Sequence, residues 1–414
     1  MKIQIEICLL IILHTLIFSS FANADFDAGM RAYEGGDYAT AVREFKADDS
    51  PEAQFNLGFM YAKGVGVKQN PAESAKWYRK SAEQGYVIAQ FNLGVIYKTG
   101  DGVEADQKEA ARWFRRAAEH GHAGAQFNLG YMYAKGEGVS RDSAEAAKWY
   151  RKSAEQGNTL AQFNLAIMKE NGEGGEKNGI EAAKWYSYAA QKGYPPACYN
   201  LGLLYDKGES IKVNKKEAAR WYRKAAEQGN TDAQVRLGIL LNKGEGVKRD
   251  NKEALKWLRR AAAKNRAMSQ FLIGLMYARG EGVKQDQKVA FGWINKAAMQ
   301  GHAPAEDNLG YMYENGVGVS KDEKEAASWY RKAADQGEAH AQFRLGSLYY
   351  DGKGVVQDKG EAAKWFIKAA EQGDVEAELS IARMYKEGDG IQQNMTEAAR
   401  WYQKAAEQIH HVKH

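Results

Sequence analysis

Cysteine is almost absent from this chain, which excludes a fold held together by disulfide bonds. The 414-residue sequence has two cysteines, and Cys8 lies in an apolar segment at the N-terminus. If that segment is removed, only Cys198 remains, and no disulfide can form within the chain. We expect Cys198 to be an ordinary, partly buried residue, and pairing with another chain stays open as the alternative.

Proline and strong net charge are also scarce. The formal net charge of +5 is small for this length, and no block of lysine or arginine occurs, so we expect no binding to nucleic acid. All five prolines are expected at helix starts or in the turns before them, because proline breaks a helix interior. They are Pro51, Pro71, Pro195, Pro196 and Pro304.

Long hydrophobic runs are missing except at the start of the chain. Lys2 precedes an apolar run of about 12 residues, Ile7 to Phe18, and Ala22-Asn23-Ala24 offers small residues for cleavage before Asp25. This pattern predicts a signal peptide over residues 1–24, cleaved after Ala24. A membrane anchor would need roughly 20 apolar residues. We therefore expect no membrane span after removal of the signal, and a periplasmic or secreted protein.

Tryptophan, in contrast, recurs at a fixed interval of 36 residues. A period of this size is typical of repeat proteins, in which each unit buries its apolar face by stacking on its neighbours. The ten tryptophans are Trp77, Trp113, Trp149, Trp185, Trp221, Trp257, Trp293, Trp329, Trp365 and Trp401.

Each unit predicts a first helix with one apolar stripe, at i, i+4, i+7 and i+8. In one unit the stripe is Ala125, Leu129, Met132 and Tyr133. Gly130 lies in the middle of this helix, where glycine costs about 1 kcal/mol relative to alanine. We expect the backbone of the partner helix to approach closely there. Gly136 and its equivalents are expected to end each first helix in a left-handed conformation.

A second helix is predicted to begin at the Asp or Asn that lies seven residues before each Trp. These residues are expected N-caps, and nine of the ten are followed three residues later by Glu, as in a capping box. We therefore expect helix amides, not metal ions or substrates, to satisfy these carboxylates. The caps are Asn70, Asp106, Asp142, Asn178, Asn214, Asp250, Asp286, Asp322, Asp358 and Asn394.

Bulky and small residues alternate in the second helix, where Trp149 and Tyr150 precede Ser153 and Ala154. This alternation favours a packed core over a row of ligand-binding aromatic platforms. The basic residues beside each Trp are expected on the solvated face. Arg151 has Glu155 one turn further on as its expected partner.

The combined pattern A-x-x-x-L-G-x-x-Y-x-x-G, a Gly-Val loop and A-x-x-W-Y-x-x-A-A-x-x-G resembles the Sel1-like repeat family, relatives of tetratricopeptide repeats. The resemblance implies an all-α, right-handed α-solenoid of ten helix-turn-helix repeats over residues 49–408, with the first helices lining the concave side. Residues 25–48 resemble a shorter tetratricopeptide-like helix pair that caps the N-terminus. Residues 409–414 form a polar, histidine-containing tail.

On a tetratricopeptide-like register, an apolar stripe edged by lysines lines the concave groove. Such a stripe suits an extended or helical peptide with acidic groups. The alternative is that the aromatic residues only pack between adjacent first helices. The candidate binding residues are Phe55, Phe59, Lys63, Phe91, Val95, Lys98, Phe127, Tyr131, Lys135, Tyr199, Phe271, Tyr311 and Tyr350.

The sequence gives little support for a catalytic site. The family has been associated with penicillin binding and β-lactam hydrolysis, but no Ser is followed by Lys three residues on. The sequence Lys98-Thr99-Gly100 occupies a position that reads Ala-Lys-Gly in other repeats, so its match to a Lys-Thr-Gly box is interpreted as coincidence. His120 and His122 have no third ligand nearby. We expect no catalytic residues, no metal and no cofactor.

The sequence therefore predicts a monomeric, non-enzymatic scaffold or adaptor that binds a protein or peptide. A cell-wall or β-lactam-directed hydrolase and a host-directed effector are the alternatives. The repeat that begins at Ala161 is the most irregular, with Ala166 and Lys169 at positions of glycine and tyrosine, and we expect a local change of curvature there.

Overall fold

The computed structural model describes residues 24–412, and side-chain exposures are given for residues 26–409. All regular secondary structure among these residues is helical. The predicted signal peptide lies outside the described residues, apart from Ala24, and stays a prediction. The chain divides into two compact units, one of residues up to Lys192 and one of residues from Gly193 onward.

In the first unit, each helix packs against the helix that follows it. Its helices are α1 (Ala24–Glu34), α2 (Tyr38–Ala47), α3 (Pro51–Lys63), α4 (Pro71–Glu83), α5 (Val87–Thr99), α6 (Gln107–Glu119), α7 (Ala123–Lys135), α8 (Ser143–Glu155), α9 (Thr159–Asn171) and α10 (Gly179–Gln191).

The second unit continues the same alternation of first and second helices. Its helices are α11 (Pro195–Lys207), α12 (Lys215–Glu227), α13 (Thr231–Lys243), α14 (Asn251–Ala262), α15 (Ala267–Arg279), α16 (Gln287–Ala298), α17 (Ala303–Asn315), α18 (Glu323–Asp335), α19 (Ala339–Asp351), α20 (Lys359–Glu371), α21 (Val375–Glu387) and α22 (Met395–Val412). The predicted all-α repeat architecture is confirmed, and no proline lies in a helix interior.

The predicted helix ends are confirmed. All ten first helices from α3 onward end at a left-handed glycine, with φ between 67 and 78°. In α8, Oδ1 of Asp142 accepts hydrogen bonds from the backbone N–H groups of Ala144 at 2.9 Å and Glu145 at 3.0 Å. At the N-terminus, Asp37 caps α2 by accepting from the N–H of Thr40 at 3.1 Å.

The second half of the predicted capping box is wrong. The backbone N–H of Asp142 donates to the carbonyl of Tyr133 at 3.0 Å, and the same bond closes the loop in every repeat. Because the loop brings that carbonyl to the cap, the Glu145 carboxylate is left for other donors. It accepts from the indole N–H of Trp149 at 3.0 Å and from Nζ of Lys148 at 2.8 Å.

The mid-helix glycine faces a side chain of the partner helix. The predicted close backbone is found at Gly238, Gly274 and Gly346, where an added Cβ would also lie 3.2 to 3.4 Å from a carbonyl oxygen of the partner helix. A Cβ atom at Gly130 would lie 2.9 Å from Cδ1 of Tyr150, the residue after the tryptophan. The equivalent positions Gly58, Gly94 and Gly310 meet the ring after their own tryptophan in the same way. The glycine is therefore required to seat this ring.

Eight of the ten tryptophans are buried in the core, as predicted, and Trp149 is only 5% exposed, whereas Trp77 and Trp293 are half-buried. The ammonium group of Lys152 lies 4.5 Å from the centre of its indole ring, on the solvent side. Arg151 pairs with Glu181 of the next repeat at 2.6 Å, and not with Glu155 as predicted, because stacking brings the two second helices side by side. Ion pairs thus join successive repeats along their outer surface.

Buried glutamines join successive repeats on the inside. Gln126 is 4% exposed, and its Nε2 donates to the carbonyl of Ala118 in the preceding helix at 3.0 Å. Its Oε1 accepts from Nε2 of Gln156 at 2.7 Å. One glutamine pair therefore links α6, α7 and α8.

Four residue types replace glutamine in other repeats: Cys and Glu at the position of Gln126, and His and Lys at the position of its partner Gln156. Cys198 occupies the first position in α11 and is fully buried, more so than predicted. Burial raises the pKa of its thiol. Glu306 and Glu378 occupy the same position in α17 and α21, and burial also raises their pKa values. Where the partner position lacks glutamine, Oε1 of Gln90, Gln162 and Gln234 has no hydrogen-bond partner.

Two irregular regions keep the helical pattern. In the repeat from Ala161, α9 and α10 are as long as their neighbours, and Nζ of Lys169 lies 3.6 Å from the Glu181 carboxylate. The expected change of curvature there stays a prediction. At the C-terminus Ile409 stands where eight of the other nine repeats have glycine, and α22 continues to Val412. The first four residues of the predicted tail are therefore helical.

Candidate binding surface on the first helices

Phe55, Phe91 and Phe127 are half-buried and pack against the second helix of their own repeat. The ring centre of Phe127 lies 5.8 Å from that of Tyr150, and that of Phe91 lies 5.9 Å from that of Phe114. Phe55 contacts Tyr78 in the same way, at 5.5 Å. Each ring therefore contributes to the edge of the core and leaves a part of its surface exposed.

One turn further along the first helices lie Phe59, Val95 and Tyr131, which are also half-buried. Phe59 and Val95 pack against the core of the first unit. The ammonium group of Lys98 lies 4.8 Å from the centre of the Tyr131 ring. These residues and the phenylalanines form one continuous half-buried face in the first unit.

The predicted lysine edge is not uniform. Lys63 and Lys135 lie exposed in the last turn of α3 and α7. Lys98 is one residue earlier in its repeat and is half-buried, with Nζ 3.4 Å from Oδ1 of Asn128 on the next first helix. It thus joins two first helices, whereas the other two lysines are available to a partner.

In the second unit the predicted residues do not share one position of the repeat. Tyr199 stacks on Tyr222 at 5.9 Å, like the phenylalanines of the first unit. Phe271 is 9% exposed, and Tyr311 is 48% exposed. The hydroxyl of Tyr350 donates to the carboxylate of Asp389 at 2.6 Å. Tyr199 and Phe271 continue the row of Phe55, Tyr311 continues that of Phe59, Val95 and Tyr131, and Tyr350 stands at the position of Lys98, so the stripe stays a prediction for this unit.

Sequence reasoning missed a row of asparagines beside the phenylalanines of the first unit. Asn56, Asn92, Asn128 and Asn164 recur every 36 residues and are half-buried. Nδ2 of Asn128 donates to the carbonyl of Gly124 at 2.8 Å. The recurrence was visible in the sequence, and it would have marked these amides as part of the same face.

The histidine and Lys-Thr-Gly patterns have structural roles. Nδ1 of His120 contacts the carbonyl of Arg116 at 2.8 Å. His122 caps α7 and stacks on Phe91 at 4.4 Å, and burial lowers its pKa. The hydroxyl of Thr99 donates to the carbonyl of Val95 at 3.0 Å. Among residues 24–412, no group of three or more His, Cys, Asp or Glu side chains is arranged to hold a metal ion.

The family profile described as Sel1 repeat matches this sequence ten times. The chain belongs to the Sel1 repeat family. The matches cover residues 51–86, 87–122, 123–158, 159–194, 195–230, 231–265, 267–302, 303–338, 339–374 and 375–410. Sel1 repeat proteins are generally protein-interaction scaffolds and typically lack enzymatic activity. Within the described part of the chain, no helix is both long and apolar enough to cross a membrane.

Two solved Sel1 repeat structures are similar over most of this chain. The first is c5321, described as a protective antigen present in uropathogenic Escherichia coli strains, with 31% identity and a TM-score of 0.65 over 93% of this chain and 87% of that chain. The second is a Sel1 repeat protein from Oxalobacter formigenes, with 32% identity and a TM-score of 0.64 over 81% of this chain and 93% of that chain. A comparison with curated protein sequences gives no match.

Proposed function

We propose that this Sel1 repeat protein is a non-enzymatic scaffold that binds a protein or peptide segment along the first helices of its first unit. The observation that carries the proposal is the recurrence of half-exposed aromatic rings beside asparagine amides on α3, α5 and α7. Aromatic surface supplies most of the binding energy in peptide-binding grooves, and amides pair with the main chain of an extended segment.

Charge favours an acidic partner. Lys63 and Lys135 end their helices on this face, are exposed, and form no ion pair among those of the described residues. Lysine at the rim of an interface raises the association rate of an oppositely charged partner and makes the rate salt-dependent. We therefore expect a segment whose acidic groups lie beside an apolar stretch.

We also propose that the scaffold acts outside the cytoplasm. The proposal rests on the sequence up to Ala24 and is supported by the similarity to an E. coli protein described as a protective antigen. Protein purified from the envelope and culture fractions should begin at Asp25 when its N-terminus is sequenced. If the protein is recovered only from the cytoplasmic fraction, with an N-terminus at Met1, this part of the proposal is contradicted.

Affinity capture from envelope and culture fractions tests the binding face. Lys63→Glu combined with Lys135→Glu should lose the acidic partner that the unchanged chain retains. The matched control is Lys68→Glu combined with Lys108→Glu, which makes the same charge change at exposed lysines of a loop and of the second helix α6. Thermal unfolding should be the same for all three proteins. Equal capture by both double variants would contradict the assignment of this face, and sedimentation of the purified chain would test the expected monomer.

A further inference from the structure

An open cleft of about 600 Å³ lies at the outer surface of the first unit, between the end of α8 and α10. Its wall includes Trp185, Tyr188, Gln191 and Lys192. It involves none of the residues of the proposed peptide-binding face. Three of these four wall residues differ from what most other repeats have at the same position.

Tyr188 replaces a cation. Three residues after every other tryptophan stands lysine or arginine, as in Lys152 above Trp149. Tyr188 is 40% exposed and meets Trp185 edge to face, with ring centres 5.6 Å apart. Part of its ring is therefore open to the cleft, in the one repeat that has no cation at this position.

The charges beside this ring also change. Gln191 stands where seven of the other nine repeats have Asp or Glu, and Lys192 stands where seven of the other nine have Gln. The acid is thus lost and a cation is gained within one turn. Lys184 is exposed as well, with Nζ 5.8 Å from the ring centre of Trp185 and 6.0 Å from that of Tyr188. Of the remaining charges in the wall, Arg151 is already paired with Glu181 at 2.6 Å, and Glu155 contributes one exposed carboxylate against the two ammonium groups of Lys184 and Lys192.

The polar side chains of the cleft can form further hydrogen bonds with a ligand. Lys192 donates to the carbonyl of Gly157, and an ammonium group has two further donors. Nε2 of Gln191 donates to Oγ of Ser187 at 3.2 Å, so its Oε1 can accept from a ligand hydroxyl. An exposed ring face, two ammonium groups and a side-chain amide therefore converge on one open surface.

We infer that this cleft binds a sugar residue that carries a carboxylate, as part of an acidic glycan. The C–H face of a sugar ring is apolar and can lie on Tyr188, its hydroxyls can pair with Gln191, and its carboxylate forms charge-assisted hydrogen bonds with Lys184 and Lys192. An acidic peptide fits less well, because its main chain needs backbone partners and the Gly157 carbonyl is already taken. We expect no such site at the other tryptophans, because a lysine or arginine follows each of them three residues later.

Calorimetric titration of the full chain with oligogalacturonate tests the inference. The same oligomer with its carboxylates methyl-esterified should bind about tenfold more weakly or worse, because each charge-assisted hydrogen bond is worth roughly that factor. The combined variant Tyr188→Lys, Gln191→Glu and Lys192→Gln installs the residues that other repeats use. It should lose binding without losing thermal stability.

The control is Lys80→Gln, which removes the cation 4.2 Å from the ring centre of Trp77 in the first repeat and should leave binding unchanged. The inference is overturned if the full chain does not bind oligogalacturonate, or if it binds the methyl ester or polyglutamate equally well. Binding retained by the combined variant would overturn it too. Each of these results leaves the peptide-binding proposal untouched, since that face is tested by other variants.

Discussion

Nε2 of Gln156 lies 2.7 Å from Oε1 of Gln126, in the preceding helix, and 2.9 Å from the carbonyl of Gly121. The two hydrogens of one amide therefore satisfy two acceptors that belong to different parts of the stack. Lysine at the equivalent position reaches only one of them. Nζ of Lys264 donates to the Gly229 carbonyl at 2.8 Å, while Oε1 of Gln234 has no partner.

Lys264→Gln should therefore stabilise the protein by about 1 kcal/mol, because a buried acceptor gains its hydrogen bond. The free energy of unfolding in urea measures the effect. Lys248→Gln makes the same chemical change at an exposed loop residue and should have no effect. Equal stability of the two variants would show that the unpaired Oε1 of Gln234 costs nothing.

Glu378 makes stability depend on pH in the direction opposite to most carboxylates. It is 1% exposed, and burial, aided by Asp374 and opposed by Lys404, raises its pKa above the usual 4.5. Folding therefore favours the protonated form of Glu378. The stabilisation that this residue provides is complete below about pH 4.5 and is lost as pH rises through its higher pKa in the folded protein. The protonated acid has the shape of the glutamine that other repeats use.

Glu378→Gln should accordingly raise the free energy of unfolding at neutral pH by about 1 kcal/mol, since a neutral donor replaces a buried charge. The gain should shrink toward pH 4, where Glu378 is protonated in the unchanged protein. Unfolding curves across this range test both statements, and Glu306→Gln provides an independent repetition. A gain that is the same at every pH would rule out titration of Glu378 as the cause.

Gly138→Ala should be among the most damaging single changes in the loops. Its φ is +68°, and an added Cβ would lie 2.0 Å from the carbonyl oxygen of Gln107 in the preceding repeat. Gly121→Ala is the control, because its φ is +88° and nothing lies within 4 Å of the added atom. We expect a loss of about 1 kcal/mol for the control from backbone strain alone, and at least twice that for Gly138→Ala. Thermal denaturation measures both.

Phe127→Ala should lower stability by about 2 kcal/mol, because the half-buried ring packs on Tyr150 at 5.8 Å between centres. Lys135→Ala, at the exposed end of the same helix, should leave stability within about 0.5 kcal/mol. Binding losses on alanine substitution of the phenylalanines therefore mix affinity with folding. Identical unfolding curves for the two variants would refute the core role of the ring.

The positions that the sequence predicted correctly are those at which one residue acts on its own helix. Asp142 caps α8, and Gly136 ends α7, because capping depends on residues three or four positions away. The errors concern contacts between helices. The partner of Gly130, the preference of Arg151 for Glu181, and the donors to Glu145 depend on how the loop and the neighbouring repeat place their atoms, which no local pattern records.

The candidate binding face was predictable only where the period was followed strictly. Phe55, Phe91 and Phe127 occupy equivalent positions and lie on one face, as expected. Tyr311 stands seven repeats after Phe59, and Tyr350 stands seven repeats after Lys98, so they continue other rows of the candidate face than these phenylalanines do. A count of residues at fixed intervals of 36 would also have found the asparagines.

The bonds between repeats also bear on how such a chain changes over evolutionary time. The hydrogen bond from Gln156 to the Gly121 carbonyl and the ion pair between Arg151 and Glu181 each join a repeat only to its immediate neighbour. Insertion or loss of one whole repeat by recombination between similar coding segments would recreate the same pairs at the new junction. The number of repeats can thus vary without compensating substitutions, whereas a shift by any other length would break every junction bond at that point.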